Sequence, residues 1–206
     1  MIAEVGEFVL EQPIQIQGDA TFARNRTLRL QLRRWWVERP KRWAAWMMLN
    51  PSDAGEKKND PTILRVINFT HSWGYDGCIV VNLYPFITSD PREMWAWSRW
   101  QDNGPDWYAR DDMQGNLAQI EEVGRRSCLR VAAFGAQPAL KDFNWVEECL
   151  ERFEQPFDYR GGDWQYEERL VCLGCTSSGQ PIHPLARGKH RVPDNAQPVL
   201  WERQQC

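Results

Sequence analysis

The 206-residue sequence predicts an α/β fold: a mainly parallel four-stranded sheet flanked by helices, with an antiparallel β addition at the N-terminus. Three observations carry this. Four short apolar runs read as buried strands, helical periodicity separates them, and an alternating apolar and polar stretch precedes them. Strands that alternate with helices imply right-handed crossovers and parallel pairing.

Taken in order, Leu28, Leu30 and Leu32 alternate with Arg29, Gln31 and Arg33, the period of a half-buried strand with a solvated basic face. The first apolar run is Trp43 to Leu49. Asp60-Pro61-Thr62 then starts a helix with proline in its first turn; Ile63, Val66, Ile67 and Thr70 form one face and Gly74 ends it. The second run, Cys78 to Leu83, leads into a long segment, Ser89 to Arg126, with a helix around Asp112 to Gly124. The third run, Cys128 to Phe134, is followed by helical spacing of Leu140, Phe143, Val146, Leu150 and Phe153 within Pro138 to Phe153. The fourth is Arg169 to Leu173. With no repeat or low-complexity linker, residues 1–206 read as one α/β domain: an N-terminal β addition (1–42), a core (43–187) and a C-terminal tail (188–206).

The formal charge of −3 provides no global attraction to phosphate, so nucleic-acid contact requires a local basic patch. Arg24, Arg26, Arg29, Arg33, Arg34, Arg39, Lys41 and Arg42 supply a candidate against the single acid Glu38. No apolar run approaches the ~20 residues of a membrane span, and the acidic start around Glu4 and Glu7 is unlike a secretory signal. A soluble, cytoplasmic protein with no membrane partner is expected. Of six cysteines, Cys78, Cys128 and Cys172 sit inside apolar runs and read as reduced core thiols. Among twelve tryptophans, Trp95, Trp97 and Trp100 crowd one segment and are candidates for stacking on bases, whereas Trp35, Trp36, Trp43 and Trp46 read as core.

In such sheets ligands collect beyond the carboxyl ends of the strands. Here those ends are Asn50-Pro51-Ser52, Asn82-Leu83-Tyr84-Pro85, Gly135-Ala136-Gln137 and Gly174-Cys175-Thr176. The Asn50 amide and Ser52 hydroxyl either face a ligand or shape a turn. Asn82 has the donor and acceptor that suit a base edge, and it can equally brace a loop. Of three histidines, His183 stands between Pro181 and Pro184 on a restricted backbone and is the best candidate for chemistry. Cys172 and Cys175 with His183 and His190 do not match a common zinc spacing, and no metal is expected. Phosphate-loop, dinucleotide and hydrolase-elbow motifs are missing, so no cofactor is expected.

Leu49-Asn50-Pro51-Ser52, Asp60-Pro61-Thr62 with Arg65, Trp73-Gly74-Tyr75, Val81-Asn82-Leu83-Tyr84, Phe134-Gly135-Ala136 and the run from Leu173 to His183-Pro184-Leu185 resemble a bacterial and phage family of unknown function, over about residues 20 to 187. More distantly, the motif order is similar to the uracil-DNA glycosylase superfamily. That resemblance implies that the Asn50 loop positions the attacking water, that Asn82 lies at the second-strand end, and that His183 faces the departing base. Ser52 stands where the superfamily has glycine, Leu185 where it has serine, and Ser177-Ser178-Gly179 is an added stretch. Uracil is therefore not the expected base.

The implied chemistry is hydrolysis of an N-glycosidic bond, on a modified base in DNA given the family's phage association. His183 would donate a hydrogen bond to the base, and Asn50 would orient water toward the sugar carbon. Asn82 would read the base edge, Tyr84 or Phe86 would stack on it, and Arg65 and Lys189 would hold phosphate. Pro51, Ser52, Asp60 and Thr62 complete the candidate substrate-binding set. Two alternatives stay open: a non-catalytic nucleic-acid or nucleotide binder with the same pocket, and an enzyme acting on free nucleosides or nucleotides.

Overall fold

The computed structural model describes residues 15–52, 54–56, 58–103, 107–135, 143–155 and 170–202. The strands are β1 (Gln17–Ala23), β2 (Leu28–Trp35), β3 (Trp43–Met48), β4 (Gly77–Asn82), β5 (Leu129–Ala132), β6 (Val171–Cys172) and β7 (Val199–Leu200). The helices are α1 (Pro61–Ser72), α2 (Pro91–Asn103), α3 (Trp107–Arg125) and α4 (Phe143–Phe153). All strands join one seven-stranded sheet in the order β1-β2-β4-β3-β5-β6-β7.

The pairings β4–β3, β3–β5 and β5–β6 are parallel, whereas β1–β2, β2–β4 and β6–β7 are antiparallel. The sheet is therefore mixed, which corrects the expectation of a mainly parallel four-stranded one. Apolar runs reveal only strands covered on both faces, whereas β1 and β2 carry polar residues and β7 is only two exposed residues long. The N-terminal hairpin forms as expected and extends the sheet beyond β4.

The period of two sorts the central strands into two cores. Ala45 and Met47 of β3 with Ile79 and Val81 of β4 pack toward Leu117, Ile120 and Val123 of α3 and Val146, Leu150 and Phe153 of α4. Ala44, Trp46, Met48, Cys78 and Val80 face the other way, toward Ile63, Val66 and Phe69 of α1. Helix α1 starts as read: Asp60 caps it by accepting from Ile63 N–H at 2.8 Å, and Pro61 fills the first helical position. Trp46 is fully buried on that side; its indole N–H donates to Thr70 Oγ1 at 2.9 Å and its ring stacks on Trp73.

Two sequence expectations change. The face of β2 read as solvated and basic is largely covered: Gln31 is buried and Arg33 is half-buried against Asp19, while Arg29, like Arg34 outside that face, is only 2% exposed. The loop between β3 and α1 covers Arg29 and Arg34, and its carbonyls take their N–H groups: Arg29 Nη1 donates to Ala54 O at 2.7 Å, and Arg34 reaches Gly55 O and Asn59 Oδ1. Burial lowers both guanidinium pKa values, Arg29 to about 10 against an opposing pull from Asp60, so Arg29 stays cationic at neutral pH. The segment after β4 holds the helix expected around Asp112 to Gly124, as α3, and a second helix, α2, ahead of it. Arg169, Leu140, Ala136 and Gln137 lie outside the described residues. Among the described residues no helix is long and apolar enough to cross a membrane.

Candidate active site

The chain leaves the sheet at Asn50. Strand pairing runs on past β3 and β4 as Leu83 N–H donates to Met48 O at 2.8 Å and Tyr84 N–H to Leu49 O at 3.0 Å. The Asn50 side chain then turns back, donating from Nδ2 to Thr88 O at 2.8 Å and to Pro51 O at 3.2 Å. Thr88 N–H returns a bond to Pro51 O at 3.0 Å. The loop is thus stitched to the segment after β4. Among the described residues, Asn50 Oδ1 accepts no hydrogen bond, so the acceptor end of the amide remains available.

A cavity of about 360 Å³ opens at this edge, within the size range of small-molecule sites. Met48, Leu49 and Asn50 line it after β3, Phe134 and Gly135 after β5, and Thr176 after β6. The rest of the wall is Ile182, His183, Ala186, Arg187 and His190. Asn50 and His183, the two proposed reaction-centre residues, share this cavity. It lies beyond the carboxyl ends of parallel strands, where a ligand was expected.

His183 is held in one tautomer. Leu185 N–H donates to His183 Nδ1 at 3.0 Å, so in the neutral ring Nε2 carries the proton. Burial pulls the imidazole below its ordinary value of 6.5, partly offset by the Asp60 carboxylate. At neutral pH His183 is therefore an uncharged hydrogen-bond donor. Its segment packs closely on β5, because Gly135 has φ +78° and a Cβ there would come within 3.3 Å of His183 Cβ. Glycine meets both demands.

Other predicted site residues hold the walls in place. Asp60, besides capping α1, accepts a short hydrogen bond from Ser52 Oγ. Pro51 is buried, and Thr62 is half-buried in the first turn of α1. Arg65 spreads its guanidinium over the C-terminal segment: Nε reaches Pro184 O at 3.4 Å, Nη2 reaches Val192 O at 2.6 Å, and Nη1 pairs with Asp194. Asn82 is 1% exposed; its Oδ1 accepts from Arg29 Nη2 at 3.4 Å and its backbone oxygen from Asn116 Nδ2 at 3.0 Å. Tyr84 is fully buried edge-on to Trp95, and Phe86 stacks on Trp97 with centroids 5.4 Å apart. None of these residues is among those lining the cavity. Lys189 is exposed, one residue from the cavity-lining His190.

Sequence reasoning passed over Arg187 and His190, assigning His190 to a basic tail. The residues read as tail are docked as far as they are described: Trp73 Nε1 donates to Ala196 O at 2.9 Å and β7 pairs with β6. The signal available was the density of cations from Arg187 to Arg191, directly after His183. Arg187, His183 and His190 line a cavity whose described lining contains no carboxylate, although the chain is acidic overall. Arg187 is the permanent cation of that lining, and an anionic group entering the cavity can pair with it.

The fold and site define a mixed α/β protein with an arginine-bearing cavity at the carboxyl ends of its parallel strands. The chain belongs to the family described as Protein of unknown function (DUF1643), whose model matches residues 29–185. That match covers β2 through the His183 turn. No curated protein and no solved structure matches the chain.

Proposed function

We propose that the protein is a glycosylase-like hydrolase that breaks the N-glycosidic bond of a base in DNA, a modified base rather than uracil. The observation that carries the reading is the joint presence of Asn50 and His183 on one cavity, with Asn50 Oδ1 and His183 Nε2–H available to a ligand. Bond breaking builds negative charge on the base and positive charge on the sugar. A neutral Nε2–H stabilises the leaving base by hydrogen bonding, without surrendering its proton. Asn50 Oδ1 accepts from a water and aims it at the sugar carbon, since an amide is too weak a base to deprotonate it. The water oxygen bonds to the sugar carbon as the base departs with the bonding electrons; one water proton stays on that oxygen as the new hydroxyl, and the other passes through solvent to the departed base. The adjacent parallel strands β4-β3-β5-β6 support a glycosylase-like arrangement of this core.

The test is mass spectrometry of bases released from phage, cellular and synthetic DNA incubated with the protein. Release of a free base supports the reading. Retained binding with no release from any substrate favours a binder. A second reading, action on a free nucleotide, is favoured by Arg187 and His190 at a small cavity in an acidic chain. Salt separates the two, because duplex binding weakens steeply with salt whereas a ligand with one or two phosphates has a shallow slope.

A further inference from the structure

Cys172 closes β6 and Cys175 follows across a two-residue turn. Gly174 in that turn has φ +117°, a conformation that L side chains rarely adopt. The turn brings the two sulfurs to 3.7 Å, with Cys172 buried and Cys175 exposed. The other described cysteines differ: Cys78 and Cys149 are buried, and Cys128 is half-buried.

We infer that Cys172 and Cys175 form a reversible intramolecular disulfide by exchange with low-molecular-weight disulfides, at the root of the loop that carries His183. Cys175 is the entry point because it is exposed, whereas burial pushes the Cys172 thiol up to about 12. The Cys175 thiolate attacks one sulfur of a small disulfide and expels the first small thiolate. Cys172 then gives up its proton and attacks the Cys175 sulfur of the mixed disulfide, expelling the second. Two protein thiols are oxidised, one small disulfide is reduced to two thiols, and the two protons end on the leaving sulfurs.

The site is wired to the cavity. Cys175 forms a β-bridge with Pro181, and Ile182 N–H donates to Gly174 O at 2.9 Å, directly before His183. Drawing the sulfurs from 3.7 Å to the bonded distance of about 2.05 Å pulls on the hairpin whose ends include the cavity-lining Thr176 and Ile182. In a reducing compartment such a bond is transient, which suits sensing rather than bracing.

The test equilibrates the reduced full-length protein with mixtures of reduced and oxidised glutathione, followed by acid quench, alkylation and peptide mapping. Trypsin leaves both cysteines in the peptide 170–187. The expected result is that this peptide loses two hydrogens and both alkylation sites together, before Cys78, Cys128, Cys149 or Cys206 reacts, and recovers with dithiothreitol. Cys172→Ser should instead hold a stable glutathione adduct on Cys175. Cys175→Ser, at an exposed position that folding tolerates, should abolish oxidation of the peptide. A persistent adduct on Cys175 in the unmutated protein, or a peptide that stays reduced while other cysteines oxidise, would overturn the inference.

Discussion

A Cβ on Gly135 would stand 3.3 Å from His183 Cβ, so the end of β5 and the proline-flanked histidine turn are fitted to one another through a missing side chain. Because Gly135 also has φ +78°, Gly135→Ala meets a conformational cost of about 1–2 kcal/mol as well as a crowded neighbour. Urea denaturation is expected to show a loss of at least that size, together with a displaced His183 resonance. A variant as stable as the parent, with His183 unmoved, would show that the close fit is not required.

Arg65 separates the worth of a fork from that of a surface charge pair. Its partner Asp194 has a side chain 86% exposed, so Asp194→Asn should change stability by less than about 1 kcal/mol. The bonds to Pro184 O and Val192 O secure the segment that carries the cavity wall, and Arg65→Ala should cost about 1–3 kcal/mol. Hydrogen exchange should then accelerate in residues 184–194. Equal effects from the two substitutions would contradict this division.

The depressed pKa of His183 has a definite sign. As pH falls below 6.5 the unfolded chain takes up a proton that the folded imidazole refuses, so stability declines until pH reaches the lower folded value. Above 6.5 the contribution is constant. NMR titration should place the His183 midpoint below 6.5. Asp60→Asn should lower it further, because the carboxylate is the group that raises it. A midpoint at or above 6.5 in the parent would rule out burial as the dominant influence.

The central strands were legible because burial on both faces leaves an unbroken apolar run. Trp43–Met48 and Gly77–Asn82 fall within a residue or two of their runs. Helix α1 was legible from Asp60-Pro61 and Ile63, Val66 and Ile67. Strand β7 was not, since Val199 and Leu200 form a two-residue edge with exposed side chains and no period to detect. Helix α2 carried the same start signal as α1, Asp90-Pro91, in a segment whose tryptophans read instead as candidates for stacking on bases. At the site, Asn50 and His183 stood out because strand ends and proline-flanked histidines are locally conspicuous. The roles of Arg29 and Arg65 were hidden, because what binds a guanidinium is a set of carbonyls distant in sequence. Asn82 illustrates the same limit: its position at a strand end was readable, but the orientation that gives its side chain to Arg29 was not.

The most direct test of the central claim is the single-turnover rate of base release, compared among the parent, His183→Ala and Asn50→Ala with folding verified for each. Once a DNA substrate that yields free base is in hand, each substitution is expected to slow release about 100- to 1,000-fold, the usual cost of removing one transition-state hydrogen-bonding group. Release at the parental rate in both folded variants would contradict the assignment of the chemistry to this cavity.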